Sequence, residues 1–222
     1  VIPTPTLEAR LRAFLDDVLR TNEQFNLTAV RDPETAWTKH ILDSLEGLNT
    51  SLFEDGKQVI DIGSGAGFPG VVLSIACPLL EVTLLESISK KCRFLETATT
   101  QHASNARVLC ARAEQAAHNS ALRERFDVGV ARAVGSFSEV CELTLPFVKV
   151  GGHLLLWRGQ NAAEEVEASR KALATLGGTA QVLHAYRLPA HEIAYHLVQV
   201  DKTQSTPPRF PRRAGLPKQK PL

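Results

Sequence analysis

The 222-residue sequence lacks any apolar run approaching the roughly eighteen residues that a membrane-spanning helix needs. Its first twenty positions, Val1 to Arg20, are charged and amphipathic and do not form an apolar signal core, so a cytosolic protein with no membrane partner is expected. The four cysteines, Cys77, Cys92, Cys110 and Cys141, include no Cys-x-x-Cys spacing, which argues against a zinc ribbon and a disulfide framework and predicts buried free thiols. Methionine is absent altogether, and no functional meaning follows from that. Acidic residues are missing from the C-terminal stretch Lys202 to Leu222, which holds Lys202, Arg209, Arg212, Arg213, Lys218 and Lys220. The overall charge of +1 therefore divides into +6 on this segment and −5 on residues 1–201. A basic tail on a mildly acidic body suits contact with a polyanion, and equally suits a solvated, unstructured end.

What is present fits one soluble domain with modest extensions: 44% of residues are hydrophobic and 22% charged. Leu7, Leu11, Phe14, Leu15, Val18 and Leu19 recur at helical spacing and predict a packing helix over about Leu7 to Thr21. Asp32 before Pro33 marks a second helix start, with Trp37, Ile41, Leu45 and Leu48 on one face. From Gln58 on, strand-like runs alternate with helical ones: Gln58 to Ile62, Glu81 to Glu86, Arg107 to Cys110, Asp127 to Ala131 and His153 to Trp157. That alternation predicts a parallel sheet covered on both faces. Thr179 to Arg187 and Ile193 to Val200 stand at hairpin spacing and would close the sheet antiparallel. The expected fold is thus α/β, a Rossmann-like seven-stranded sheet with its last strand antiparallel, as in class I S-adenosylmethionine-dependent methyltransferases. The expected divisions are a helical extension at 1–50, the main domain at 51–201 and a basic, proline-rich tail at 202–222.

The strongest local signal is Val59-Ile60-Asp61-Ile62-Gly63-Ser64-Gly65-Ala66-Gly67-Phe68-Pro69-Gly70, where a strand must turn into a helix. Glycines there let the backbone approach a ligand. A dinucleotide site would space them Gly-x-Gly-x-x-Gly, but the third glycine comes one residue early and Phe68 takes its place; no Gly-Lys-Ser/Thr follows for a phosphate loop. The pattern resembles the first motif of S-adenosylmethionine binders. Glu86 ends the next strand, where a carboxylate can accept both hydroxyls of a ribose. Ala113 and Glu114, after the third strand, stand where an adenine would lie, although Glu114 also suits a helix-start charge. After the fourth strand, Ala131-Arg132-Ala133-Val134 carries neither the Asn/Asp-Pro-Pro-aromatic string of exocyclic-amine methyltransferases nor the Pro-Cys nucleophile of cytosine C5 enzymes; Cys77-Pro78 is reversed and in another element. A target atom needing no covalent activation is indicated, and guanine N7 is one.

Asn26-Leu27-Thr28-Ala29, His40 to Leu45, Asp61 to Gly70, Glu86-Ser87 with Lys90-Lys91, Arg112-Ala113-Glu114, Ala131 to Val134 and Pro211 to Lys218 together resemble the RsmG family, also called glucose-inhibited division protein B, over nearly the whole chain. The resemblance implies a bacterial enzyme that methylates N7 of a guanine in the 530 loop of 16S ribosomal RNA, within the small ribosomal subunit or as free RNA. It implies a monomer with S-adenosylmethionine as cofactor and S-adenosylhomocysteine as product. Its cofactor contacts would fall on Gly63, Gly65, Phe68, Glu86, Ser87, Ile88, Ala113, Glu114 and Arg132. Gln219 stands where the family commonly has lysine.

The implied displacement needs no general base, so positioning should dominate. Arg132 is a candidate to hold the cofactor carboxylate or an RNA phosphate, and equally to pair with Glu86 or Asp61. His40 and Asp43 share a helix face near the cleft, where packing is the plainer role. Lys90, Lys91, Arg209, Arg212, Arg213, Lys218 and Lys220 are candidate RNA contacts, with a solvated surface as the alternative. Phe68, Trp37 and Trp157 could stack on a base, the two tryptophans more naturally serving the core. The competing readings are methyl transfer to another RNA or a small molecule, an NAD-dependent oxidoreductase, disfavoured by the glycine spacing and the hairpin, and a non-catalytic RNA-binding protein.

Overall fold

In the computed structural model, which describes residues 2–222, a seven-stranded sheet runs in the order β3-β2-β1-β4-β5-β7-β6. The strands are β1 (Gln58–Ile62), β2 (Glu81–Glu86), β3 (Ala106–Cys110), β4 (Phe126–Arg132), β5 (Val148–Arg158), β6 (Gly178–Tyr186) and β7 (Tyr195–Lys202). β1 pairs in parallel with β2 and β4, while β7 lies antiparallel to both β5 and β6. Chain direction reverses its walk across the sheet between β1 and β4, and ligands of open α/β sheets bind beyond the strand ends at such a point. β5 starts five residues before the expected His153, because its pairing with β4 continues across an irregularity that includes Gly151 at φ 84°. A Cβ at Gly152 would stand 2.6 Å from the Asp127 carbonyl, so the two strands approach as closely as they do only with glycine there.

Helices cover both faces: α1 (Pro5–Asn22), α2 (Pro33–Ala36), α3 (Asp43–Leu45), α4 (Gly70–Ala76), α5 (Ser89–His102), α6 (Ala113–Ala116), α7 (Phe137–Thr144), α8 (Ala162–Ala168), α9 (Arg170–Leu176) and α10 (Leu216–Gln219). One core lies under α1 and α4 and includes Leu11, Phe14, Val71, Leu84 and Trp157; the other, beneath α7 and α9, includes Ile60, Phe126, Phe147, Leu173 and Phe210. Thr4 caps α1, and Asp32 caps α2 by accepting from the Thr35 amide at 2.8 Å. The expected second helix is one continuous path with changing pitch: α2 passes into a π-helix at Trp37–Leu42, then α3, then a 3-10 turn at Glu46–Asn49. The wider π turn rotates the following residues, so that Asp43 and Trp157 meet: the indole donates to the Asp43 carbonyl at 2.7 Å.

One expectation is corrected, and one alternative left open by the sequence is decided. Cys92 and Cys110 form a disulfide and are not free thiols; α5 folds back along β3 and brings their Cα atoms to 5.7 Å, a closeness that their separation of 18 residues does not reveal. Cys77 and Cys141 are free, and burial pushes the Cys141 thiol above its ordinary range. The basic segment, secondly, is not a loose tail. Lys202 ends β7 with its side chain buried, donating to the Leu145 carbonyl at 2.8 Å and pairing with Glu124 at 3.5 Å, and desolvation pushes its pKa down to about 8. Beyond it, Arg123 donates to the carbonyls of Thr206 at 2.7 Å and Phe210 at 2.9 Å, which straps the segment across the α7 side of the sheet.

Candidate functional site

β1 carries Asp61 next to its last residue and runs into a loop whose Gly63, Gly65 and Gly67 have φ of 72°, 58° and 97°. L side chains are strained in that region, so glycine is required by the turn itself. The Gly63 amide donates to the Leu85 carbonyl at 2.8 Å, which fixes the loop over the end of β2. Asp61 is fully buried and accepts from the Gly70 amide at 3.0 Å, while its Oδ1 has no partner. Desolvation, the first cause, raises its pKa to about 7. Gly70 has room for nothing more, since a Cβ there would lie 2.6 Å from the Asp61 carboxylate and 2.4 Å from Leu84.

Glu86 sits at the end of β2, next to this loop. One carboxylate oxygen accepts from the amides of Ser87 and Ile88 at 2.7 and 2.8 Å, and the other from Gly65 at 3.0 Å. Three backbone donors thus orient the carboxylate, and the oxygen that accepts from Gly65 keeps a lone pair. A cavity of about 210 Å³ opens beside it, bounded by Gly63, Leu85, Ser87, Ala113, Glu114 and Val134. Glu114 is half-buried and accepts from the Gly215 amide at 2.9 Å.

A second cavity, about 320 Å³, lies across the turn after β4 and is lined by Lys39, His40, Asp43, Arg132, Arg158 and Tyr195 among others. Arg132 donates to the Lys39 carbonyl at 2.8 Å and to Asp43 at 2.7 Å, and its Nη2 is 3.3 Å from His40 Nδ1. Because a guanidinium only donates, Nδ1 must accept, so the proton is on Nε2, which donates to the Thr28 hydroxyl at 2.8 Å. Desolvation first, and then Arg132, pushes the His40 pKa down to about 4, so the ring is neutral at pH 7. The imidazole stacks on Phe68 with centroids 4.6 Å apart, which uses a face of the ring that the sequence offered for base stacking. Asp43 is filled on its other oxygen by the Tyr186 hydroxyl at 2.5 Å. Arg132 therefore pairs with Asp43, and not with the anticipated Glu86 or Asp61; the π turn delivers the carboxylate to it.

Of the expected RNA contacts, Lys90 is exposed and Lys91 half-buried on the first turn of α5, with the exposed Arg93 following them, beside a groove of about 440 Å³ against α1 that also holds Arg20. Arg209, Arg213, Lys218 and Lys220 are exposed on the folded C-terminal segment. Arg212 is placed otherwise: its guanidinium forks onto Glu142, a fully buried carboxylate of α7, with Nη2 to Oε2 at 2.6 Å, so its charge is consumed within the protein. Gly70, Thr28, Tyr186 and Glu142 complete the site and its supports without having been singled out; Glu142, an acid amid the apolar Phe137, Val140 and Cys141, was the readable signal.

The family model described as rRNA small subunit methyltransferase G matches residues 7–194. The chain belongs to that family. Among its relatives, a ribosomal RNA small subunit methyltransferase G of Symbiobacterium thermophilum is 41% identical over 94% of this chain and 87% of its own. One from Trichormus variabilis is 38% identical over 99% and 92%. Solved structures share the fold: an S-adenosylmethionine-dependent O-methyltransferase of Thermotoga maritima superposes with a TM-score of 0.55 at 15% identity, covering 86% of this chain and 73% of that one. The 16S rRNA methyltransferase RsmC of T. thermophilus gives 0.52 at 19% identity, covering 80% and 40%. The chain is an S-adenosylmethionine-dependent methyltransferase of this family, and the glycine turn, the oriented Glu86 and the adjoining cavity suit an uncharged, hydroxyl-bearing nucleoside. Among the described residues no helix is long and apolar enough to cross a membrane.

Proposed function

We propose that the protein methylates N7 of a guanine in the 530 loop of bacterial 16S ribosomal RNA, working as a monomer in the cytoplasm on the small subunit or its RNA. The cofactor supplies an electrophilic methyl group on a sulfonium centre. Glu86 would receive the ribose hydroxyls, the backbone at Gly63, Gly65, Phe68, Ser87 and Ile88 would line the nucleoside and its amino-acid end, and Ala113 with Glu114 would meet the adenine.

The observation that carries the choice of N7 is the state of the second cavity. Its two groups best suited to taking a proton, Asp43 and His40, are both engaged on every side-chain donor or acceptor atom. Tyr195 is held protonated, its pKa raised by desolvation and by Asp43. An exocyclic amine or a hydroxyl would need a base there, whereas N7 of guanine presents a free lone pair at neutral pH. Lys39 places positive charge where a phosphate or the guanine O6 would enter, and Lys90, Lys91 and Arg93 extend that charge along α5 toward the RNA backbone. Arg209, Arg213, Lys218 and Lys220 add a second basic edge. Recognition of an unpaired loop fits, because its bases can be splayed into a cavity.

The test is to incubate the protein and labelled S-adenosylmethionine with small subunits and with naked 16S RNA lacking the modification, then map the label by N7-specific cleavage. Label at one 530-loop guanine is expected. Label on an amine or at scattered sites would overturn the assignment.

A further inference from the structure

We propose that residues 212–218 form a wall of the cofactor's adenosyl pocket and aim Glu114 at the adenine amine, making Arg212 and Gly215 positioning residues for cofactor selectivity. The inference rests on assigning the cavity beside Glu86 and Glu114 to the adenosyl end.

Gly215 and Lys218 line that cavity together with Ala113 and Glu114. The Gly215 amide holds Glu114 Oε1 at 2.9 Å, and Oε2 is left to accept from an outside donor. A carboxylate fixed at one oxygen by a backbone amide has one direction in which to present the other. Gly215 donates from φ 80°, and a Cβ there would find nothing nearer than 3.8 Å, so glycine is needed for backbone conformation and not for space.

The segment is fastened at its base. The Arg212 amide and Nε both donate to Glu142 Oε1 at 2.8 Å, Nη2 donates to Oε2 at 2.6 Å, and Nη2 also holds the Lys220 carbonyl at 2.7 Å. Because Glu142 is wholly buried on α7, lifting Arg212 away would leave an unpaired charge in the apolar interior, which is strongly opposed. His118 adds a contact to the Pro211 carbonyl at 3.0 Å. Residues 212–218 are therefore held against the pocket, and Arg209, Arg213, Lys218 and Lys220 are exposed along residues 209–220.

Selectivity follows from the chemistry of Oε2. It accepts from the amine of adenine, whereas the six-position oxygen of S-inosylhomocysteine is an acceptor and would face it unfavourably. Calorimetry should compare binding of S-adenosylhomocysteine and S-inosylhomocysteine to the wild type, to a chain ending at Pro211 and to full-length Arg212→Lys, which keeps a positive charge for Glu142 but loses the fork. Thermal unfolding without ligand checks that each is folded. Both variants should bind S-adenosylhomocysteine about tenfold more weakly and discriminate less against the inosyl compound. Folded variants that keep wild-type affinity and the wild-type adenosyl-to-inosyl ratio would overturn the proposal. Failure of the wild type to bind S-adenosylhomocysteine would instead remove the pocket assignment beneath it.

Discussion

Arg132 and Asp43 lie 89 residues apart and form a 2.7 Å ion pair whose side chains are 12% and 10% exposed. The pair joins the end of β4 to the N-terminal helices, and through Asp43 to Tyr186 on β6. Asp43→Ala would strand the guanidinium beside Phe68 and leave the tyrosine hydroxyl unpaired. The expected loss of stability is on the order of 3 kcal/mol, measured by urea denaturation. A loss below about 1 kcal/mol would show that solvent replaces the carboxylate readily.

Gly63→Asp should abolish cofactor binding in a protein that still folds. The new Cβ would stand 3.0 Å from Val134 at a φ of 72°, and the added charge would crowd Glu86. Calorimetry with S-adenosylmethionine, paired with circular dichroism, reads both outcomes. Retained affinity would mean that the cofactor does not use this turn.

Reversing Lys90 and Arg93 to glutamate should weaken binding to a 530-loop RNA at low salt, flatten its salt dependence and leave cofactor affinity as it was. Filter binding across a salt series is sufficient. If the slope of affinity against salt is unchanged, the RNA backbone does not cross α5.

Two buried groups give opposite pH dependences in one window. Asp61 has its pKa raised from 3.8 to about 7, so between those values the folded state holds a proton that the unfolded chain has released, and stability falls as pH rises. His40 has its pKa lowered from 6.5 to about 4, so there the unfolded chain binds the extra proton, and stability falls as pH falls. Urea midpoints from pH 4.5 to 7 should rise more steeply with pH in Asp61→Asn than in the wild type, and less steeply in His40→Gln. Three parallel curves would mean that neither group is perturbed.

The strands and the glycine turn were legible because their signals are local: apolar runs and a spacing of three glycines. The position of Glu86 beside the glycine turn was legible for the same reason, as the last residue of such a run. Arg132 was legible as a charged residue at the end of a strand but not its partner, since a π turn at Trp37–Leu42 sets the phase that turns Asp43 toward it. The Cys92–Cys110 bond depends on α5 returning beside β3, and Arg212 on finding Glu142 across 70 residues. In both cases composition suggested an independent element, free thiols or a free basic tail, because only tertiary proximity supplies the partner.

The indole of Trp157 donating to the Asp43 carbonyl ties the first fifty residues to the sheet. Residues 1–50 read as an appendage, yet they provide the carbonyl that satisfies a buried tryptophan of β5 and the carboxylate that neutralises Arg132. Such a piece cannot be exchanged between methyltransferases as a cassette. Grafting a different N-terminal region onto this sheet would require an acceptor and an anion at the same two points.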